Sequence, residues 1–183
     1  MNNIEIVDAH HHLWDLDGLR YPFLTDEPKD DFFLGDNSSI RKNFLPEDFR
    51  RVSARQNVIK TVHIEAECDR TTQVAESEWV TQINAEHGFP NAIVAHAWFD
   101  EDNSEEILAA QAAIPLVRGI HSKPVTAATP NGKQQGAPRT MQHPKWLEGF
   151  ALLEKYELSW DLRVPYWHLE EAAEVAQSFP NTR

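Results

Sequence analysis

Short apolar, β-branched runs alternate along the chain with longer stretches of helical character, the pattern of parallel strands joined by crossover helices. Ile4 to Asp8 reads as the first strand and Val58 to Glu65 as the second. Ala92 to Trp98, Val117 to His121 and Leu158 to Leu162 follow as strands three to five. Between them the spacing predicts helices over Thr71 to Glu86, Glu105 to Ala113, Pro144 to Tyr156 and Leu169 to Ser178. In the first of these Ala75, Trp79, Val80 and Ile83 fall on one face, and Gly88 is a stop signal. Ser104 is placed as an N-cap for the second. A polar stretch rich in Pro, Asp and Asn from Leu16 to Leu45 separates the first two strands, and another rich in Pro, Gly, Thr and Gln runs from Ser122 to Arg139.

Five strand-helix units fit two architectures. One is the first part of a (β/α)8 TIM barrel, in which residues 15–45 pass over the mouth. A complete barrel takes about 250 residues, so strands six to eight, roughly a hundred residues, are then missing and the single domain 1–183 is truncated at its C-terminus. The other is a complete five-stranded doubly wound sheet serving as a metal- or sugar-binding module.

Composition narrows the function. The 183 residues carry a formal net charge of -12, which argues against a phosphate-neutralising surface for nucleic acid and against binding to an anionic membrane. The single cysteine, Cys68, excludes an intrachain disulfide and a thiolate zinc site. No basic-then-apolar leader opens the sequence and no long apolar run interrupts it, so the expectation is a cytoplasmic protein acting on a small molecule, with a homo-oligomer left open.

The chemistry concentrates in Asp8-Ala9-His10-His11-His12-Leu13-Trp14 at the end of strand one. Strand alternation sends His10 and His12 to one face and His11 to the other, with the paired backbones about 6 to 7 Å apart. Two imidazoles so placed can share one divalent ion, and zinc accepts such nitrogens while keeping a position open for water. His-x-His pairs also arise by chance; this one stands where barrels carry their chemistry.

Ile6 to Trp14 resembles the strand-one motif of the amidohydrolase superfamily, in particular the amidohydrolase-related sugar-lactone hydrolases of fuconolactonase and rhamnonolactonase type. Arg20-Tyr21-Pro22-Phe23-Leu24, Val117-Arg118-Gly119-Ile120 and Leu158-Ser159-Trp160-Asp161-Leu162 are similar to later landmarks of that group, in the same order. The resemblance implies a (β/α)8 barrel, a divalent metal, zinc in the first instance, on His10 and His12, and metal-assisted hydrolysis of a lactone or related ester or amide. Some members of the group work without metal. The family's histidine after strand six and its strand-eight aspartate, the proton acceptor, have no counterpart here, so no catalytic base is assigned and the fragment alone is expected to be inactive.

The remaining candidates line strand ends. His121 stands where relatives show arginine and shares parity with Val117 and Gly119; a contact to a substrate carbonyl, a place in a metal shell and a plain strand-end hydrogen bond are all open to it. Thr61, His63 and Glu65 share a face, with Glu65 near the mouth. Ser159, Asp161 and Arg163 share another, with Arg163 suited to a carboxylate or hydroxyls and an Asp161–Arg163 structural pair as the alternative. His96 and Trp98 share parity on strand three. Trp14 either stacks on a ring substrate or packs the long loop, and His87, His143 and His168 are expected to be solvated.

Overall fold

The computed structural model describes residues 4–27 and 35–183. Five strands are present: β1 (Ile6–His11), β2 (Val58–Ile64), β3 (Ala92–Ala95), β4 (Val117–Ile120) and β5 (Ser159–Trp160). They are hydrogen-bonded in chain order, and the β1–β2 and β4–β5 pairings are parallel. A doubly wound sheet reverses its strand order at a switch point. The consecutive order contains no reversal and is the progression of a barrel.

Six α-helices occur among the described residues: α1 (Pro22–Thr25), α2 (Pro46–Ser53), α3 (Gln73–His87), α4 (Ser104–Ala112), α5 (Pro144–Lys155) and α6 (Leu169–Ser178). None is long and apolar enough to cross a membrane. The chain divides within β3 into two compact units, residues 1–93 and 94–183.

In the first unit, α2 is an element that hydrophobic spacing did not announce. Two turns are too short to show a period, and the helix is set by its ends instead. Pro46 opens it, Glu47 and Asp48 occupy the first turn, Arg50 and Arg51 the last, and the Asp48 carboxylate takes the Leu45 N–H at 3.1 Å. It buries Phe49 against Leu13 and Ile83. Helix α3 ends at Gly88, whose φ of 77° suits a residue without Cβ. The excursion 15–45 is tied at its base by an antiparallel bridge between Trp14 and Phe44. Tyr21 and Leu24, from the Arg20–Leu24 landmark, bury with Ala66 and Cys68. Residues 28–34 of that excursion lie outside the described residues.

The core of the second unit is aromatic. Phe99, Trp146, Phe150, Trp160 and Phe179 meet ring to ring at centroid separations of 5.0 to 5.6 Å. Gly149 lets α5 approach this far, since a Cβ there would lie 1.9 Å from the Phe99 carbonyl oxygen. Three expectations are corrected here. Ser104 is the first residue of α4 and not its cap, which is Asn103. Strand three ends at Ala95, before His96 and Trp98. Strand five ends at Trp160, so Asp161 and Arg163 stand beyond it, where strand parity no longer governs direction.

Candidate functional site

Strand β1 runs three residues beyond the expected Asp8, and its pairing with β2 shifts on the way. Asp8 pairs with Thr61 and His11 with His63, so three steps on β1 match two on β2. Such a bulge re-aims the side chains at a strand's end. His11 turns to the side of Phe49 and Phe89, with centroids at 4.6 and 6.4 Å, and its Nε2 shares a hydrogen bond with Thr61 Oγ1 at 3.0 Å. The rings of His10 and His12 come together edge to face, with centroids 5.0 Å apart.

Proton placement follows from the partners. Within hydrogen-bond distance of His12 Nδ1, at 2.9 Å, is the Ile64 carbonyl, which can only accept, so the proton sits on Nδ1 and the lone pair on Nε2. A backbone carbonyl behind one ring nitrogen is the usual way of aiming the other at a metal. The Asp8 carboxylate receives the His10 N–H at 3.2 Å. His63 Nδ1 accepts the Leu13 N–H at 3.3 Å. Burial pushes His63 well below the ordinary imidazole range and lowers His11 to about 4, so both rings are neutral near pH 7. The donor set suits a borderline-soft divalent ion, with two imidazoles side by side and one already oriented. No group of three or more His, Cys, Asp or Glu side chains that could hold a metal occurs among the described residues.

Glu65 is buried, and its Oε2 accepts from the Glu67 N–H at 2.9 Å and from Arg70 Nη1 at 3.0 Å. Arg70 also bonds Glu67, three positions back. Behind them lies Glu76, whose Oε1 takes the Ala66 N–H at 3.1 Å. Burial, with the negative charge of Glu65, raises Glu76 to about 8. Neither Arg70 nor Glu76 was singled out from sequence; the three-residue spacing of Glu67 and Arg70 was the available signal. Trp14 is engaged by the long loop, with Nε1 donating to the Lys42 carbonyl at 2.6 Å and the ring on Phe44.

In the second unit His121 is buried directly after β4, its N–H donating to the Ala95 carbonyl at 2.8 Å. A Cβ at Gly119 would fall 2.2 Å from Ser159 Oγ and 3.0 Å from the Ser159 carbonyl oxygen, so β4 and β5 approach closely there. Asp161 donates its N–H to the Ile120 carbonyl at 2.9 Å, while the Arg163 side chain stands in an exposed loop. His96 meets Trp98 edge-on at 4.5 Å, and Arg139 covers the Trp98 ring at 4.1 Å. His168, expected to be solvated, is buried instead, while His87 and His143 are partly covered.

Solved structures with related coordinates exist. An amidohydrolase 2 from Bifidobacterium longum subsp. infantis superposes with a TM-score of 0.59 at 15% identity, over 98% of this chain and 59% of that one. An amidohydrolase from Burkholderia multivorans superposes at 0.64 with bound HEPES and at 0.62 with bound zinc, at 14% and 16% identity, each over 96% of this chain and 54% of that one. The chain has the fold of these amidohydrolases. In sequence it is 35% identical over 184 aligned positions to the uncharacterized protein y4mH of Sinorhizobium fredii, a match spanning 100% of this chain and 61% of that protein. The chain thus covers less than two thirds of that relative's length. No protein-family profile matches it.

Proposed function

We propose that the chain forms the metal-binding part of a cytoplasmic hydrolase of the amidohydrolase superfamily, acting on a lactone, sugar-derived or carboxylated, or on a related ester or amide. The observation that carries this reading is the His10–His12 pair, 5.0 Å between rings, with the Ile64 carbonyl holding the Nδ1 proton of His12. The fold shared with solved amidohydrolases supports it, as does the bound zinc in one of them.

His10 Nε2 or Nδ1 and His12 Nε2 would hold the ion. Zinc there supplies Lewis-acid polarisation of a carbonyl and acidifies a water. The chain's own contributions are positional. The Ile64 carbonyl fixes one ligand's ring, Asp8 steadies the backbone at His10, and the neutral, buried His11 anchors the strand end to Thr61. Substrate contact is proposed for Glu65 and Trp14 in the first unit and, taken separately, for His121, Asp161 and Arg163 in the second. Arg163 suits a carboxylate or hydroxyls, and Glu65 acts through the arginine it holds.

The proton acceptor and the remaining ligands belong, on this reading, to strands six to eight of a completed barrel. Two features of the strand edges support that continuation. Trp160 donates its N–H to the Arg183 carbonyl at 2.7 Å, on the edge of β5 away from Ile120. Ile6 and Val7 on β1 are exposed. The 183 residues alone then hydrolyse nothing. The decisive test assays the complete reading frame on a panel of aldonolactones, simple esters and amides, before and after chelation. Turnover of a lactone that chelator removes and zinc restores is the expected result. Absence of turnover on every member of the panel in both conditions overturns the reading.

A further inference from the structure

A second candidate site lies wholly within residues 94–183 and uses none of the strand-one histidines. The loop after β4 and the start of α6, which follows β5, enclose a cavity of about 230 Å³. Both segments leave the C-terminal ends of their strands, the end at which barrel enzymes place ligands.

Its walls are built before any ligand arrives. Val125 and Arg139 close the neck of the loop with a backbone hydrogen bond of 2.9 Å. Ala127 is gripped from both sides: its N–H donates to His168 Nε2 at 2.9 Å, and its carbonyl accepts from Trp167 Nε1 at 3.0 Å. Thr140 Oγ1 donates to the Ala137 carbonyl at 2.7 Å. A preformed cavity spares a ligand the entropy of ordering these segments.

The charges of the lining decide what it accepts. Lys133 and Glu171 are the formally charged residues in it, and they pair with each other, Nζ to Oε1 at 3.1 Å, with the Glu171 side chain only 12% exposed. Because His168 Nε2 accepts from Ala127, the ring's proton is on Nδ1, 3.4 Å from the same carboxylate oxygen. An anion would have to displace Glu171 from Lys133, and a cation would meet the ammonium. What remains on offer is uncharged hydrogen bonding from Thr126, Gln134 and Gln135, with Met141 and Val125 as an apolar wall. Amide groups present donor and acceptor together, which matches neighbouring hydroxyls. The volume equals on the order of seven or eight waters and falls below the ~300–1,000 Å³ of clefts for drug-sized ligands.

We propose that this cavity binds a neutral, polyhydroxylated small molecule the size of one sugar ring, independently of the metal centre. The chain has two methionines, and Met141 lines the cavity, so its methyl signal makes the test direct. With methyl-13C methionine in the full chain, methyl α-glucopyranoside is titrated beside glucuronate and glucosamine. The Met141 methyl signal is expected to shift saturably with the neutral glycoside, and less with either charged probe. Thr126→Val and Gln135→Ala should each weaken binding about fivefold, the effect of one hydrogen bond. Glu171→Gln should raise glucuronate affinity by freeing Lys133, and the two neutral variants decide the matter if that protein does not fold. No Met141 shift with the neutral glycoside, or tighter binding of glucuronate by the unaltered chain, overturns the proposal. The titration is run without metal and reads no turnover, so its failure leaves the hydrolase reading untouched.

Discussion

At the scale of residues, three adjacent histidines occupy three environments: His10 is exposed, His11 buried and His12 between the two. Exposed side chains contribute little to stability, so His10→Ala should change the unfolding free energy by no more than about 0.5 kcal/mol. The same change, like His12→Ala, should lower zinc affinity by more than the ~10–100-fold that loss of an outer partner costs. Equilibrium dialysis against zinc beside denaturant unfolding separates the two effects. Glu76 supplies a second prediction. Its carboxyl is raised from 4.5 to about 8, so the folded chain keeps a proton that the unfolded chain releases. The contribution is present in full below pH 4.5 and is lost as pH rises to 8, on the order of 5 kcal/mol. Glu76→Gln, whose amide oxygen can still accept the Ala66 N–H, should flatten that slope and raise the denaturation midpoint at pH 9.

At the scale of elements, close approach matters as much as patterning. Helix α5 touches the backbone at Phe99 through Gly149, and the 1.9 Å left for a Cβ is far inside contact distance. The obstacle is main chain, which cannot rotate away. Gly149→Ala should therefore cost about 1–3 kcal/mol or more and lower Tm by roughly 2–4 °C for each, as read by calorimetry. The bulge in β1 works in the other direction, adding a residue so that the strand can continue through His11 while the rings on either side of it converge. Helix α2 depends on its termini, with Pro46 and Asp48 at one end and two arginines at the other.

At the scale of the whole molecule, the strand order and the exposed apolar residues of β1 belong together. Consecutive parallel strands bury both faces when a barrel closes, and their edges then vanish. Val7 is 55% exposed and Ile6 37%. An edge of that character templates pairing with other chains. The 183-residue chain should accordingly self-associate with rising concentration, and Val7→Lys should suppress this in sedimentation velocity. Concentration-independent monomers of the unaltered chain would refute the expectation.

How much of this was legible in advance follows from the range of each interaction. Alternation within a strand and the stop at Gly88 are local, so five strands and most of the helices could be read from the amino-acid order alone. Short elements defined by caps, such as α2, carry too few turns to show a period. Only tertiary structure decided the bulge that turns His11 inward, the taking of Glu65 by Arg70 and the burial of His168 against Ala127. Those outcomes rest on partners 5 and 41 positions away, or on a shift of register between strands, and no local pattern of polarity encodes which of several buried polar groups will meet.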